Sequence, residues 1–306
     1  ERHASWLELF FDLVFVLAVA KVAAVLANES TAVGFAKYIA LFIPVWWAWI
    51  GYTFHADRFE SETPEYRILT FAAMLVVAML ALSIGGAFTR QGSASFAVAY
   101  ALVLLVLVVQ YILTAVYVPL TRPLALQFII GLSLSALIFL LSLFFEPPIR
   151  YAMWGVGVVM AMVTPFTSLR VARIFPIDRS HIPERLGLFT IIVLGEAVIA
   201  VANGAAGVPW TPMTVTIASL GFAMAACIWW INFDFVEDNA LRQSALLPRI
   251  MFLYGHFFIL AAIVAIGIGV EHAIKDSMEP HLHTPSLILL GGGIAAYLVA
   301  TTLIRL

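Results

Sequence analysis

The chain has 306 residues, of which 63% are hydrophobic and 11% charged, with a mean hydropathy of +1.03, against the roughly 25% charged content of ordinary globular domains. That composition excludes a soluble domain, and a formal net charge of -2 from 16 Lys+Arg and 18 Asp+Glu provides no basic field to attract a nucleic-acid backbone. The single cysteine, Cys227, excludes an intramolecular disulfide and a cysteine-built metal cluster.

A bilayer core about 30 Å thick takes roughly 20 apolar residues per helix, and the sequence reaches that length ten times. In chain order the predicted spans are Leu7–Ala27, Phe35–Phe54, Ile68–Phe88, Ala94–Val118, Leu124–Phe145, Tyr151–Ser168, Leu186–Ala205, Met213–Val236, Leu246–Val270 and Ser286–Ile304. The expected fold is therefore an all-α polytopic membrane protein. Turn formers mark the breaks at Pro64, Pro119, Pro123, Pro147, Pro148, Pro183, Pro209 and Pro212. Glu8 and Asp12 in the first span do not fit the charge-free core of a cleaved signal peptide.

Positive residues in short loops stay on the cytoplasmic side. With ten spans, one side collects eleven of them: Arg2, Arg58, Arg67, Arg122, Arg170, Arg173, Arg179, Arg185, Arg242, Arg249 and Arg305. The other side collects Lys37, Arg90, Arg150 and Lys275, with Lys21 inside the first span. The skew places both termini in the cytoplasm.

The end of span two, Trp49-Ile50-Gly51-Tyr52-Thr53-Phe54-His55-Ala56-Asp57, and the end of span eight, Trp230-Ile231-Asn232-Phe233-Asp234-Phe235-Val236-Glu237-Asp238, share the pattern Trp-Ile-x-aromatic-x-Phe-x-x-Asp. The following spans open on Arg67-Ile68 and Arg249-Ile250 and reach Ile84-Gly85 and Ile266-Gly267 after the same interval. Six intervening spans give the two copies one orientation, as in repeats related by an axis along the membrane normal. The expected organisation is a first repeat over 1–122, a hairpin of spans five and six over 123–180, and a second repeat over 181–306. Convergence of interfacial Trp and Asp residues is the competing explanation.

The opening stretch Arg2-His3-Ala4-Ser5-Trp6-Leu7-Glu8-Leu9-Phe10-Phe11-Asp12-Leu13-Val14-Phe15 resembles the start of the bacterial low temperature requirement A (LtrA) family. The stretch from His181 to Glu196, His-Ile-Pro-Glu-Arg-Leu-Gly-Leu-Phe-Thr-Ile-Ile-Val-Leu-Gly-Glu, resembles the same family. The resemblance covers nearly the whole chain and implies a multi-pass bacterial membrane protein, with no biochemical activity attached. An aromatic followed by Asp early in the first span is also similar to the Phe-Ser-Asp signature of a two-repeat potassium channel family. Here Phe11-Asp12 lacks the serine, and Glu196 stands at a different depth.

Carboxylates at hydrocarbon depth are costly and need protein or water around them, which makes them the informative residues. Glu8 and Asp12 stand one helical turn apart on one face of span one, with Asp12 roughly 9 Å inside at 1.5 Å per residue. A shared vestibule would serve a proton relay or a cation site, whereas neutralisation by Arg2, Arg67 or Arg185 would make them helix locks. Glu196, mid-depth in span seven, follows Gly195, whose missing side chain admits a close neighbour, and His256 in span nine is its candidate relay partner. His55, Asp57, Asn232, Asp234 and Asp238 could ring a cytoplasmic entrance or act as ordinary helix caps. Lys21 sits where its long side chain reaches the interface. The outer segment Glu271 to His283 holds His272, His281, His283, Glu271, Asp276 and Glu279, ligand types that borderline metals favour, but without a fixed zinc spacing. Trp46, Trp47, Trp49, Trp229 and Trp230 read as packing and belt residues.

No GxxxxGK[ST], HExxH, GxSxG or complete GxGxxG pattern occurs. The reading is a secondary transporter or ion channel for a proton, cation or small solute. Its pathway residues are Glu8, Asp12, Glu196, His256, His55 and Asp234, with no catalytic residue, metal or cofactor. The expected partners are membrane lipids and the transported species, with no nucleic acid, and a homo-oligomer stays open. The alternatives are a membrane-embedded enzyme acting on a lipid through Glu8, Asp12 and His55, and a structural or sensor protein.

Overall fold

The structure is a computed structural model that describes residues 4–61, 63–167, 181–235, 246–279 and 281–305, the side chains of 235, 246–250 and 305 excepted. Ten helices and no strand occur among the described residues: α1 (Trp6–Asn28), α2 (Ala32–Phe59), α3 (Pro64–Ile84), α4 (Ser93–Tyr117), α5 (Arg122–Leu141), α6 (Ile149–Thr167), α7 (His181–Ala205), α8 (Pro212–Phe235), α9 (Leu246–Lys275) and α10 (Thr284–Arg305). The shortest has 19 residues and the longest 30, and each supplies an apolar stretch long enough to cross a bilayer. Large apolar side chains stand exposed along these helices, including Leu75, Leu82, Val156, Leu220 and Val299. Lipid is the solvent that tolerates such surfaces.

Three helix ends run further than hydropathy alone predicts. α2 continues past Phe54 to Phe59, α7 begins at His181 ahead of Leu186, and α9 continues past Val270 to Lys275. His55, Asp57, His181, Arg185 and Glu271 in these extensions are all buried. A polar residue with tertiary partners keeps its helix, whereas hydropathy reads it as a loop.

The chain divides into two compact units, one of Glu1–Val22 with Ala40–Ile182, the other of Ala23–Ile39 with Pro183–Leu306. In the first, Ser5 and Glu8 form a capping box at the start of α1: the Glu8 amide donates to Ser5 Oγ at 3.2 Å, and the Ser5 amide donates to Glu8 Oε2 at 2.9 Å. Thr63 caps α3, whose first residue is Pro64. Buried Arg150 donates to the Ser142 and Leu143 carbonyls, both at 3.3 Å, and so satisfies the carbonyl end of α5. A Cβ on Gly157 would lie 2.8 Å from the Phe139 ring, and Ser135 Oγ donates to the Gly157 carbonyl at 2.7 Å, so α5 and α6 pack backbone to backbone there.

In the second unit, residues 259–271 of α9 are buried on every side, the signature of a central helix. Close approaches hold its neighbours: a Cβ on Gly267 would lie 3.0 Å from Ala197 Cα, and one on Gly293 would lie 2.8 Å from the Ile266 side chain. Tyr38 donates to the Ala261 carbonyl at 2.9 Å, and Tyr297 to the Ile228 carbonyl at 3.1 Å.

The residues that match between the two halves occupy different settings. Ile84-Gly85 ends α3, whereas Ile266-Gly267 lies inside α9. Trp49 is fully buried, and Trp230 is 60% exposed.

Candidate functional site

The polar residues of the first unit gather where α1 begins, α2 ends and α7 begins. Glu8 on α1 and Asp57 on α2 both reach His181, the first residue of α7. His181 Nε2 lies 3.3 Å from Glu8 Oε2, and Nδ1 lies 2.9 Å from Asp57 Oδ1. All three are buried. A carboxylate accepts, and a neutral imidazole has one N–H to donate. Meeting both contacts therefore takes two hydrogens among the three groups, one more than two carboxylates and a neutral imidazole carry.

One turn deeper on α1, Asp12 is fully buried and accepts the indole N–H of Trp49 at 2.8 Å. Trp49, Thr53 and Asp57 are spaced four apart on one face of α2, and Glu8 and Asp12 are spaced four apart on the facing side of α1. The Phe11 and Tyr52 rings, 5.1 Å apart, pack beside them. The result is a polar column roughly two helical turns long, about 12 Å at 1.5 Å per residue. The triad closes one end, and the Asp12–Trp49 pair stands at the other.

Of the arginines expected to neutralise these acids, Arg185 is buried one turn after His181 on α7. Arg67 is exposed and makes no ion pair among the described residues, and Arg2 lies outside them. Ser5 and His181 both contact Glu8. Trp49 acts as a hydrogen-bond donor as well as a packing residue. His55 is buried but turns to the opposite side of α2, where Nε2 meets Thr114 Oγ1 of α4 at 3.0 Å. Thr114 spends its hydroxyl hydrogen on the Gln110 carbonyl, so His55 donates from Nε2, and its buried Nδ1 has no hydrogen-bond partner. Tyr111, Tyr66 and Phe59 surround the ring. Glu8 and Asp12, considered with His55 for a lipid enzyme, contact His181 and Trp49, whereas His55 contacts Thr114.

In the second unit, Glu196 is half-buried and makes no hydrogen bond or ion pair among the described residues. His256 is buried and directs Nδ1 to the Phe252 carbonyl of its own helix at 2.7 Å, not to Glu196. A Cβ on Gly195 would meet nothing within 4 Å, so the close approach expected there occurs at Gly267 and at Gly204, which abuts the Glu271 backbone. Asp234 is exposed and Asn232 buried at the end of α8, and Asp238 lies outside the described residues. Two cavities of about 400 and 340 Å³ lie against α8, and neither is lined by Glu196 or His256.

The histidines and carboxylates between Glu271 and His283 do not converge on one point. Glu271 takes Lys275 at 2.5 Å, and Asp276 takes His283 at 2.9 Å. His272 meets the Ala27 carbonyl at 3.0 Å and Ser30 Oγ at 3.2 Å. Among the described residues no three His, Cys, Asp or Glu side chains gather as a metal site would require.

Ten apolar helices with a buried column of acids, imidazole and indole define a polytopic membrane protein with a polar interior. The chain belongs to the bacterial low temperature requirement A protein (LtrA) family, whose family model matches residues 3–306. It is similar to an uncharacterized protein of Rhizobium meliloti (strain 1021), at 28% identity over 315 residues, covering 96% of this chain and 75% of that protein. No solved structure matches the chain.

Proposed function

We propose that this protein is a secondary transporter or ion channel of the bacterial cytoplasmic membrane, with both termini cytoplasmic, that moves a proton, cation or small solute past buried carboxylates. The triad of Glu8, His181 and Asp57 is its proton-binding station, and Asp12 the next acidic group inward. The observation that carries this reading is the imidazole held between two buried carboxylates, 3.3 and 2.9 Å away. Such a group gains or loses one proton without leaving the protein interior. Glu196, half-buried on α7 without a hydrogen-bond partner among the described residues, is the candidate station of the second unit. We also infer that α1–α4 and α7–α10 derive from a duplicated unit. In support, the Trp-Ile-x-aromatic-x-Phe-x-x-Asp pattern and the Arg-Ile and Ile-Gly pairs recur at an offset of 181 to 182 residues.

The test is flux in proteoliposomes carrying a trapped pH indicator, with imposed proton, sodium and potassium gradients. Wild type is expected to dissipate at least one gradient faster than empty vesicles. Glu8→Gln, Asp57→Asn and Glu196→Gln are expected to slow it by about tenfold or more, since a positioned proton-transfer group contributes about 10²-fold or more. Wild-type vesicles that match empty ones under all three gradients would reject the reading.

A structural reading draws on the same triad, because it ties three helix ends together. Variants that lose thermal stability while every flux persists would favour it.

A further inference from the structure

The threonines of this protein follow a rule that Thr53 breaks. A helical threonine hydroxyl ordinarily donates to the carbonyl one turn back, as Thr70, Thr114, Thr164 and Thr190 do at 2.8 to 3.0 Å. Thr53 is 1% exposed, and its Oγ1 has no hydrogen-bond partner. A buried hydroxyl without a partner is costly and marks a place where a small polar ligand belongs. Thr301 on α10 shares this state, but that helix carries no carboxylate.

The position of Thr53 identifies the ligand. It stands four residues from Trp49 and four from Asp57 on the same face of α2. Trp49 is bonded to Asp12, and Asp57 to His181, which also meets Glu8. Helical spacing thus places the free hydroxyl between the two acidic levels of the column, where the Phe11 and Tyr52 rings also join α1 to α2. Asp12 and Glu8 are one turn apart on α1, and Thr53 stands between Trp49 and Asp57, the α2 residues at the same two levels.

We propose that Thr53 binds a buried water that joins Asp12 to the Glu8–His181–Asp57 triad, so that the column conducts protons and not metal cations. A buried water makes about three hydrogen bonds; the Thr53 hydroxyl supplies one, and a carboxylate on each acidic level, whose two oxygens accept several bonds, supplies another. In the transfer, protonated Asp12 gives its hydrogen to the water oxygen while the water gives one of its own to Glu8. One O–H bond breaks and one forms at each step, and the water is regenerated. This inference rests on the proposed transport reading and specifies its substrate as the proton.

The experiment uses the full chain in lipid vesicles and has two readouts. Infrared difference spectra in ordinary water and in water enriched in oxygen-18 report the O–H stretch of a buried water. Wild type is expected to show an isotope-sensitive band that Thr53→Val abolishes and that Thr53→Ser, which restores the hydroxyl, recovers. Proton flux is expected to fall about tenfold in Thr53→Val, the rate equivalent of one lost hydrogen bond, and to recover in Thr53→Ser. A band unchanged in Thr53→Val overturns the water site. A band that disappears while proton flux stays at the wild-type level overturns the relay, as does a loss confined to sodium or potassium flux. If the band behaves as expected but wild type conducts nothing, the water site stands and the transport reading fails.

Discussion

Trp49 donates its indole N–H to Asp12 at 2.8 Å, joining α2 to α1 inside the first unit, where both side chains are fully buried. A hydrogen bond to a charged group is worth about 1.5–3 kcal/mol in soluble proteins, but double-mutant cycles between membrane helices average about 0.6 and reach about 1.7. Full burial of both partners argues for the upper end of the membrane range. A cycle of Trp49→Phe and Asp12→Asn is therefore expected to give a coupling of about 1.5 kcal/mol in reversible unfolding from mixed micelles. Additivity within about 0.3–0.5 kcal/mol, the ordinary behaviour of independent sites, would mean that the bond adds nothing to the α1–α2 contact.

Much of this arrangement is legible in the sequence, and the unreadable part has one cause. The spans are visible because each is a long apolar run, and Glu8 and Asp12 are visible as a face because helical spacing is local. The capping box is also local: Ser5-Trp6-Leu7-Glu8 carries the signature of a helix start. The partners of these acids are not local. His181 is 173 residues from Glu8 and 124 from Asp57, and no periodicity announces such a pairing. His181 stands at the start of the second family-like stretch, a signal that it matters but not of what it touches. His55 and Asp57, two residues apart, look equivalent in the sequence, yet helical rotation sends one to α4 and the other to His181. The half-buried setting of Glu196 without a bonded neighbour depends on packing that no local pattern encodes.

Two glycines separate expectation from packing. A Cβ on Gly195 would meet nothing within 4 Å, whereas one on Gly267 would meet Ala197 Cα at 3.0 Å. Gly195→Ala is expected to be neutral, or stabilising by up to roughly 1 kcal/mol through helix propensity. Gly267→Ala is expected to destabilise by about 1–3 kcal/mol, because α7 and α9 must move apart. Thermal unfolding in detergent orders the pair. Equal shifts, or a larger loss at Gly195, would contradict the α7–α9 contact.

Between α9 and α10, the His283 imidazole lies 2.9 Å from Asp276 Oδ2. The hydrogen bond to Asp276, together with that carboxylate's charge, raises the imidazole above its usual value of about 6.5. A folded value above the unfolded one means that the imidazolium form is favoured by folding. The contribution is then complete below about pH 6.5 and disappears as pH rises through the raised folded value. His283 is solvent-exposed, so salt screens the pair and the effect is small. His283→Asn is expected to lower Tm on the acid side and to match wild type at alkaline pH, with the acid-side gap narrowing in high salt. A gap that stays constant across that range would mean that His283 acts through packing and not through its charge on Asp276.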